Sequence, residues 1–459
     1  MTASSCLLLA SPRLERGFPR GVVQIAGFLR DHDREVEVLS LAHALGERRG
    51  QDPARREADA EALRCVLSAA VERTDPSVVG IGSAFSLDYP DCLEALEIVR
   101  AIAPKAVTVI GGPHPTFQDA ETLDSSAVDV VVRGEGEWTM LALLRALEQG
   151  DDLSSVAGIS FRRDGRVVRT PDRPPGDLAT LPPLDFDLLP ADFMRTTHVH
   201  GITSRGCSYR CAYCAESAFW RGKRRHPVPA IVDEMETLER RFGNPVVGFM
   251  ESMVDTRDGQ LIELCEEIER RGLALPPRFY AHVRADRLDA RGVDAMRRAG
   301  IRRVNMGVES ASPRVLAMMD RSVTPDQVTA ACRLLREHDI AVHTYWIVGH
   351  PGDSPAEAEI SYRFLKELLE GDLTQSAEAM LFEPHPGTRF YDAPEDYGIE
   401  ILERDWRLWN RFSGVPVCSL REFPADEMQE AWRRMDRLIR TWAQLGSVDL
   451  SGTKRVPAG

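Results

Sequence analysis

Short apolar runs alternate with amphipathic stretches along the first 150 residues. The runs Cys6 to Ala10 and Val107 to Gly111 have the length and composition of buried strands, and Glu137 to Gln149 shows the 3.6-residue period of a helix. Further strand candidates are 36–41, 78–83 and 128–132, and further helix candidates are 21–30, 57–72 and 91–102. Strands separated by such helices predict right-handed crossovers and a doubly wound, Rossmann-like parallel sheet in an α/β domain over residues 1–150.

A second alternating pattern covers residues 196–390. Its strand candidates are 200–204, 246–250, 278–283, 304–308, 342–348 and 378–382. Amphipathic helices are predicted between them at 229–242, 260–271, 291–299 and 325–338. About six strand–helix units predict a partial, TIM-like (β/α)6 barrel, with its functional groups on the loops that follow the strands.

Two segments lack this alternation. Residues 151–195 are predicted to be a linker, with a hairpin over 159–170 that turns at Asp164-Gly165 and a Pro-rich extended stretch after it. Residues 391–459 carry four of the seven tryptophans and are predicted to form a small helical C-terminal cap.

Composition and charge narrow the range of possible binding partners. The chain has 459 residues, of which 43% are hydrophobic and 28% are charged, and these values are ordinary for a soluble globular protein. The formal net charge of -14 argues against a nucleic-acid backbone or an anionic membrane surface as a partner. No apolar run approaches the ~18–20 residues that span a bilayer, and the short apolar stretch near the N-terminus lacks the features of a signal peptide. We therefore expect a cytoplasmic protein that acts on a small molecule.

Three of the nine cysteines, Cys207, Cys211 and Cys214, lie within eight residues. Thiolates favour iron–sulfur clusters or zinc, and a structural zinc site needs a fourth ligand, for which no second close pair stands nearby. Three cysteines at spacings of four and three can bind three irons of a cubane and leave the fourth iron open. A zinc site and a coincidental group of core cysteines are the two alternatives.

The pattern Cys-x-x-x-Cys-x-x-Cys, with Tyr213 directly before the third cysteine, resembles that of the radical S-adenosylmethionine superfamily. The resemblance implies a 4Fe–4S cluster on the three cysteines and S-adenosylmethionine chelated to the open iron. An electron from the cluster, supplied by a donor such as flavodoxin or ferredoxin, then cleaves the carbon–sulfur bond to give a 5′-deoxyadenosyl radical.

The same resemblance gives roles to positions at the ends of later strands. It implies that Tyr213 contacts the adenine and that Glu251 grips the methionine amino group, although the two glycines that usually precede such a glutamate are absent here. It further implies that Arg284 pairs with the methionine carboxylate, that Glu309 accepts a ribose hydroxyl and that Gly349 ends an adenine-contacting strand. Taken singly, such residues are more often helix caps or surface ion pairs.

Glycines also follow two strands of the N-terminal domain, in Gly111-Gly112-Pro113-His114 and in Gly134-Glu135-Gly136. Glycine lets a ligand approach the backbone at the carboxyl edge of a parallel sheet, and it equally serves tight turns. These stretches resemble the cobalamin-binding domain that precedes many radical S-adenosylmethionine barrels. The resemblance implies that Gly111, Gly112, His114, Gly134 and Glu135 border cobalamin.

One departure from that domain concerns the cobalt ligand. The Asp-x-His-x-x-Gly motif that supplies a histidine in the methionine-synthase type is absent, and Ser11 to Gly17 stand in its place. With cobalamin bound, no histidine from this loop would reach the cobalt, and Phe85 to Tyr89 would lie nearest its lower face.

Three functions compete on these observations. The first is a cobalamin-dependent radical methylase that transfers a methyl group to carbon of a secondary metabolite. The second is a radical dehydratase, cyclase or rearrangement enzyme, for example an aminoglycoside diol dehydratase, with a vestigial cobalamin domain. The third is a non-catalytic cobalamin or zinc sensor, which requires the three cysteines to be structural.

Overall fold

A computed structural model of the chain describes residues 5–12, 17–46, 56–250, 253–257 and 259–446. The chain divides into two compact units. Unit 1 comprises Met1–His198 and Phe219–Arg221, and unit 2 comprises Val199–Ala218 and Gly222–Gly459.

Unit 1 is built on one seven-stranded sheet. Its strands are β1 (Cys6–Ala10), β2 (Val36–Ser40), β3 (Val78–Gly82), β4 (Val107–Gly111), β5 (Val130–Val132), β6 (Ile159–Arg163) and β7 (Arg166–Arg169). They are arranged in the order β2-β1-β3-β4-β5-β6-β7, and the first five are parallel. This strand order confirms the predicted doubly wound sheet. The strands could be predicted because they are buried apolar runs, such as Cys-Leu-Leu-Leu-Ala in β1.

Eight α-helices lie in the described residues of this part of the chain. They are α1 (Arg20–Asp31), α2 (Leu41–Leu45), α3 (Arg56–Thr74), α4 (Tyr89–Ile102), α5 (Pro113–Phe117), α6 (Asp119–Thr122), α7 (Gly136–Gln149) and α8 (Ala191–Thr196). Helices α1 and α7 present buried apolar residues, among them Leu29 and Leu144, to the unit's core.

The hairpin predicted within the linker forms, and it also extends the sheet. Strand β6 pairs antiparallel with β5, and β7 pairs antiparallel with β6. The first residues of β6, including Ile159 and Phe161, are buried, whereas Arg162 and Arg163 at its end are exposed. Burial of those apolar residues explains why the hairpin joins the sheet.

Unit 2 contains the predicted partial barrel. Its strands are β8 (Ser204–Arg205), β9 (Arg224–Arg225), β10 (Tyr280–Val283), β11 (Arg303–Glu309), β12 (Ala341–Val348), β13 (Ser376–Leu381), β14 (Ile399–Ile401) and β15 (Cys418–Leu420). Strands β10 to β13 form one parallel sheet in chain order. Its helices are α9 (Ala215–Trp220), α10 (Val228–Phe242), α11 (Gln260–Arg271), α12 (Ala290–Arg298), α13 (Pro313–Met318), α14 (Pro325–Glu337), α15 (Pro355–Glu370), α16 (Arg389–Asp392) and α17 (Ala425–Gly446).

The first two predicted barrel strands are shorter than expected. Gly201 forms a single parallel bridge with Phe249, and Gly248 forms one with Tyr280, so both segments continue the order of the parallel sheet. A side chain at Gly248 would lie 2.8 Å from the Tyr280 carbonyl oxygen, which is too close for a real Cβ atom. The close approach of these backbones therefore depends on glycine, which weakens the strand pattern in the sequence.

The C-terminal segment is not purely helical. Strands β14 and β15 form a two-stranded antiparallel sheet there, and three-residue strands are too short to give a periodic pattern. Helix α17 packs on β13, where the Trp432 indole N–H donates to the Ala379 carbonyl oxygen at 2.8 Å. None of the helices in the described residues combines the length and apolar character of a membrane span.

Candidate functional site

The cysteine loop runs from β8 to α9 in unit 2. Cys207, Cys211 and Cys214 are all free and half-buried. The Cys214 N–H donates to the Cys211 carbonyl oxygen at 3.0 Å, and the Ala212 N–H donates to the Met319 carbonyl oxygen at 2.9 Å. Burial raises the pKa of the Cys207 thiol and raises that of Cys214 to about 12, so both are protonated unless a metal displaces the proton.

The donor set fits a cluster better than a single ion. Within the described residues, no three His, Cys, Asp or Glu side chains are grouped tightly enough to hold one metal ion. A zinc site gathers its ligands around one centre, whereas each cysteine of a cubane binds a different iron and the sulfurs stand farther apart. Three thiols on one loop match the open-iron arrangement, in which cysteines bind three of the four irons.

Two guanidinium groups approach the middle cysteine. Arg284 Nη1 lies 3.8 Å from Cys211 Sγ, and Arg321 Nη1 lies 4.0 Å from the same sulfur. The Arg284 guanidinium also lies 3.8 Å from the ring centre of Tyr209 and donates from Nε to Asp286 Oδ1 at 2.7 Å. Guanidinium groups at this distance can balance the negative charge of an iron–sulfur cluster on the loop.

Arg321, Tyr213 and Glu309 form a buried network beside Cys211. The Tyr213 hydroxyl donates to Glu309 Oε1 at 3.1 Å, and Arg321 Nη1 lies 3.4 Å from the Tyr213 oxygen. Arg321 Nη2 donates to the Gly307 carbonyl oxygen. Burial raises the pKa of Glu309, and the Arg321 charge opposes that rise. Burial lowers the pKa of Arg321, but its interactions with Tyr213, Glu309 and Cys211 together outweigh that effect and raise it.

Glu309 has an unusual backbone at the end of β11. Its φ is 66°, in the left-handed region that non-glycine residues rarely occupy, and the register with β12 shifts between Gly307 and Glu309. Such a bulge redirects a side chain at the end of a strand, and strain of this kind is concentrated at functional sites. The bulge places the Glu309 carboxylate against Tyr213.

The turn after β12 lies next to the same tyrosine. Gly349 has φ 81°, and a Cβ atom there would lie 2.2 Å from the terminal methyl carbon of Met428. The adjacent His350 ring is buried and stands edge-on to the Tyr213 ring at a centroid distance of 5.9 Å. Burial lowers the pKa of His350 to about 3, so this imidazole is neutral.

The structure thus groups several of the residues predicted from the sequence. Arg284 contacts Cys211, Glu309 contacts Tyr213, and the turn that begins at Gly349 reaches Tyr213 through His350. Glu251 lies outside the described residues. The sequence reasoning missed Arg321, because it searched the ends of strands and Arg321 lies in the loop between α13 and α14.

A second group that the sequence reasoning missed lines one face of the parallel sheet. His282 in β10 pairs in register with Asn305 in β11, which pairs with His343 in β12, so their side chains share a face. Asn305 Nδ2 donates to the Tyr345 hydroxyl at 3.2 Å and lies 3.4 Å from His282 Nε2. Asn305 is only 5% exposed, and its Oδ1 has no hydrogen-bond partner among the described residues. We call these four residues the polar belt.

The carboxyl edge of the unit 1 sheet contains the predicted glycines. The strand order places the topological switch point between β1 and β3, where ligands bind in such sheets. Gly112 has φ 116°, and a Cβ atom there would lie 2.0 Å from the Ser83 carbonyl oxygen in the loop after β3. Gly134 has φ 71° with no atom within 4 Å of its Cβ position, so its backbone is open to approach. An open glycine backbone at this edge fits the close approach of a ligand.

The other predicted residues of this edge differ in exposure. Gly111 ends β4, and Glu135 is half-buried at the N-cap of α7. His114, by contrast, is 2% exposed. Its Nδ1 lies 2.9 Å from Ser86 Oγ, and its ring lies 4.1 Å from that of Tyr89. His114 therefore holds the loops together and does not present an imidazole at the surface.

A pair of glycine variants tests how this edge is built. Gly112→Ala should lower the free energy of unfolding of unit 1 by at least about 3 kcal/mol, because it combines a left-handed backbone with a clash against a carbonyl oxygen. Gly134→Ala meets no atom and should cost only about 1 kcal/mol. Denaturant unfolding followed by circular dichroism measures both. Equal losses of unfolding free energy in the two variants would show that the close contact between Gly112 and the Ser83 carbonyl does not contribute to stability.

Two family models match the chain. Residues 202–365 match the Radical SAM superfamily, and residues 8–144 match the B12 binding domain. An uncharacterized methyltransferase, PH0819 of Pyrococcus horikoshii, is 30% identical over 373 residues, covering 79% of this chain and 78% of that protein. The cytidylyl-2-hydroxyethylphosphonate methyltransferase of Streptomyces wedmorensis is 27% identical, covering 76% of this chain and 73% of that protein.

Solved structures with the same fold include the radical S-adenosylmethionine methyltransferase TsrM of Kitasatospora setae, with cobalamin and a 4Fe–4S cluster bound. It superposes with a TM-score of 0.69 at 20% identity, covering 88% of this chain and 78% of that one. An anaerobic magnesium-protoporphyrin IX monomethyl ester cyclase of Rubrivivax gelatinosus is also a relative, 29% identical over 73% of this chain and 61% of that protein. The chain belongs to the cobalamin-dependent, methyltransferase-like branch of the radical SAM superfamily, whose cofactors are a 4Fe–4S cluster, S-adenosylmethionine and cobalamin.

Proposed function

We propose that the chain methylates a carbon atom of a small-molecule secondary metabolite. The observation that carries the proposal is that one chain combines the cysteine loop, with its arginine–tyrosine–glutamate network, and a B12-binding domain. Relatives named as methyltransferases support the transfer of a methyl group. An electron donor such as flavodoxin or ferredoxin would reduce the cluster.

The residues of unit 2 have distinct roles in this proposal. Cys207, Cys211 and Cys214 hold the cluster, which when bound supplies the electron that cleaves S-adenosylmethionine. Arg284 pairs with the methionine carboxylate, and Glu309 accepts a ribose hydroxyl with Tyr213 and Gly349 beside the adenine. Glu251 binds the methionine amino group. The Tyr213–Glu309 bond holds both side chains in place before the ligand arrives.

The carboxyl edge of the unit 1 sheet holds cobalamin in this proposal. Gly111, Gly112 and Gly134 border the cofactor, with Gly134 open to its close approach, and Glu135 lies at the rim where α7 begins. His114 supports this surface from below through Ser86 and Tyr89.

We place the methyl acceptor on the polar belt. The opposite face of the sheet is apolar and packed under helices, as at Trp346, whose ring lies 6.2 Å from that of Phe364 in α15. The belt face is polar. Burial lowers the pKa of His343 to about 3, so this imidazole is neutral, and Arg303 and Glu378 share the face by their register. The unpartnered Asn305 Oδ1 therefore suits a substrate that offers an O–H or N–H donor, since an unpaired buried acceptor is costly.

Asn305→Leu should reduce methylation of the acceptor by roughly 10- to 100-fold, which corresponds to the ~1–3 kcal/mol cost of removing a buried hydrogen-bond partner. Binding of S-adenosylmethionine should be unchanged, because Asn305 contacts none of the residues of the arginine–tyrosine–glutamate network. Asn305→Asp keeps an acceptor oxygen and should retain more activity. Equal activity of the leucine variant and the wild-type protein would exclude this location for the acceptor.

The proposal is tested by following a labelled methyl group. The anaerobically reconstituted, full-length protein is incubated with reductant, cobalamin, a small-molecule extract and S-adenosylmethionine that carries a deuterated methyl group. Mass spectrometry should find S-adenosylhomocysteine, 5′-deoxyadenosine and a small molecule with the deuterated methyl. Methyl transfer that proceeds equally well in cobalamin-free protein would contradict the proposal.

A second candidate is radical cyclisation, dehydration or rearrangement without methyl transfer. The observation that favours it is the set of cyclases among the relatives, such as that of Rubrivivax gelatinosus. In the same experiment, this reaction would release 5′-deoxyadenosine without S-adenosylhomocysteine, and no product would carry deuterium. The two nucleoside products therefore distinguish the candidates.

A further inference from the structure

We infer that the methyl acceptor is an amine, whose positively charged amino group binds the Glu383 carboxylate after β13. The inference rests on the proposed function and adds the chemical class of the substrate and the residue that recognises it.

Glu383 is a buried carboxyl group with an unused acceptor. It stands two residues after β13, at the carboxyl edge of the parallel sheet, where the functional loops of a barrel begin. Its side chain is only 4% exposed, and its Oε1 has no hydrogen-bond partner among the described residues. Leaving such an oxygen unpaired costs free energy, which a ligand with a suitable donor recovers on binding.

The nearest side chain that could neutralise Glu383 is His385, and it does not do so. Its Nε2 lies 3.7 Å from Glu383 Oε2, which is too far for a hydrogen bond. Burial, together with the charge of Arg411, lowers the pKa of His385 to about 4, so the imidazole is neutral near neutral pH. The His385 side chain is itself 32% exposed, so Glu383 lies only one side chain away from solvent.

Arg411 is the charged group that acts on Glu383, but it must serve two carboxyl groups. Its charge opposes the rise in pKa that burial causes at Glu383, to about 7, and at Glu378. The Leu381 N–H donates to the Arg411 carbonyl oxygen at 3.1 Å, so this residue lies beside the end of β13. Within the described part of the chain, its guanidinium forms an ion pair with neither carboxyl group.

The other guanidinium on the belt face is too remote to help. Arg303 is the first residue of β11, at the end of the parallel sheet opposite to Glu383. One arginine therefore faces two buried or half-buried carboxyl groups, and a second positive charge is needed to keep both ionised.

A substrate amino group supplies both the missing charge and the missing donor. An ammonium has three N–H donors, and its hydrogen bonds to a carboxylate are stronger than those of a neutral hydroxyl. A substrate carboxylate or phosphate would instead be repelled by Glu378 and Glu383. Glu378 pairs in register with Tyr345 of the polar belt, so this acidic edge continues the surface on which we place the acceptor.

The test divides the small-molecule extract of the deuterated-methyl experiment on a cation exchanger near neutral pH. Retained molecules are cations, and the unretained ones are neutral or anionic. The full-length wild-type protein should form the deuterated product from the retained fraction only. This comparison needs no variant, so it holds even if a change at Glu383 impairs folding.

Glu383→Gln keeps the shape of the side chain and removes its charge. It should lower product formation from the retained fraction roughly 10- to 100-fold, because a hydrogen bond between two charged groups is lost. Isothermal titration should show wild-type affinity for S-adenosylmethionine. Glu383→Asp keeps the charge and should retain more activity. Glu367→Gln, at an exposed residue of α15, is the matched control and should form product at the wild-type rate.

Product that forms from the unretained fraction would overturn the inference and leave the proposed methylation intact. Wild-type product formation by Glu383→Gln would overturn it too. Weakened binding of S-adenosylmethionine in that variant would also overturn it, because the carboxylate would then contact the cofactor. The absence of a deuterated product from both fractions would contradict the proposed function itself, which distinguishes that failure from the others.

Discussion

A Cys211→Ala variant should form no 5′-deoxyadenosine above the background of cluster-free protein. Cys211 is the middle ligand of the loop, and its sulfur lies next to both Arg284 and Arg321. Loss of one of three thiolates leaves too few ligands to hold the cubane, and reductive cleavage depends on the cluster. Iron and sulfide analysis should fall from about four irons per chain towards zero. Anaerobic assays with dithionite and mass spectrometry measure the nucleoside.

The matched control is Cys265→Ala, which removes another thiol of unit 2. Cys265 is buried in α11, outside the cysteine loop, so its variant should keep the cluster and lose only a little stability. Circular dichroism should show both variants folded. Continued formation of 5′-deoxyadenosine in a variant that lacks Cys207, Cys211 and Cys214 together would contradict the proposed origin of the radical.

Arg321→Met should weaken binding of S-adenosylmethionine about 10- to 100-fold and lower the free energy of unfolding by about 3–5 kcal/mol. The buried Arg321 charge opposes the rise in the pKa of Glu309 that burial causes. Without that charge, the pKa of Glu309 rises further, and the protonated carboxyl is a poorer acceptor for a ribose hydroxyl. Because ionisation returns above the new pKa, binding by the variant should improve as the pH is raised, whereas wild-type binding should change less.

Isothermal titration of S-adenosylmethionine over a range of pH values measures this effect. Arg321→Lys keeps the positive charge but loses the planar guanidinium group. Its affinity for S-adenosylmethionine should lie between those of the wild-type protein and the methionine variant. Arg240→Met, at an exposed residue of α10, is the control for the loss of one arginine. It should bind S-adenosylmethionine with wild-type affinity. Wild-type affinity for S-adenosylmethionine in Arg321→Met, unchanged with pH, would show that Arg321 does not control the pKa of Glu309.

The two parallel sheets could be predicted because most of their strands are short apolar runs that stand out from the amphipathic helices around them. Strand β1 is a continuous buried apolar run, and β4 departs from that pattern only at the buried Thr108, so the bounds of both can be predicted to the residue. The segments around Gly201 and Gly248 are harder to predict as strands. Glycine allows close backbone approach there but adds no apolar side chain to the strand pattern. The β14–β15 pair was missed, because three-residue strands have no period to detect.

The site could be predicted only where its residues follow a motif or a strand. The cysteines are adjacent in sequence, and Arg284 and Glu309 follow strands, so their grouping could be expected. Arg321 stands 110 residues from Cys211, and only the fold brings the two together. Likewise, His114 follows a strand in a glycine-rich loop, yet nothing in the sequence shows that its ring turns into the unit's core. Side-chain direction in a loop depends on contacts that are distant along the chain.

The open iron of the cluster is the central claim, and electron–nuclear double resonance tests it most directly. The reduced full-length protein is mixed with S-adenosylmethionine labelled with ¹⁵N at the methionine amino group. A ¹⁵N coupling to the cluster spin is expected, because three cysteines leave one iron for this ligand. A fully assembled cluster that shows no such coupling with bound S-adenosylmethionine would contradict the claim, since a fourth ligand would then close the site.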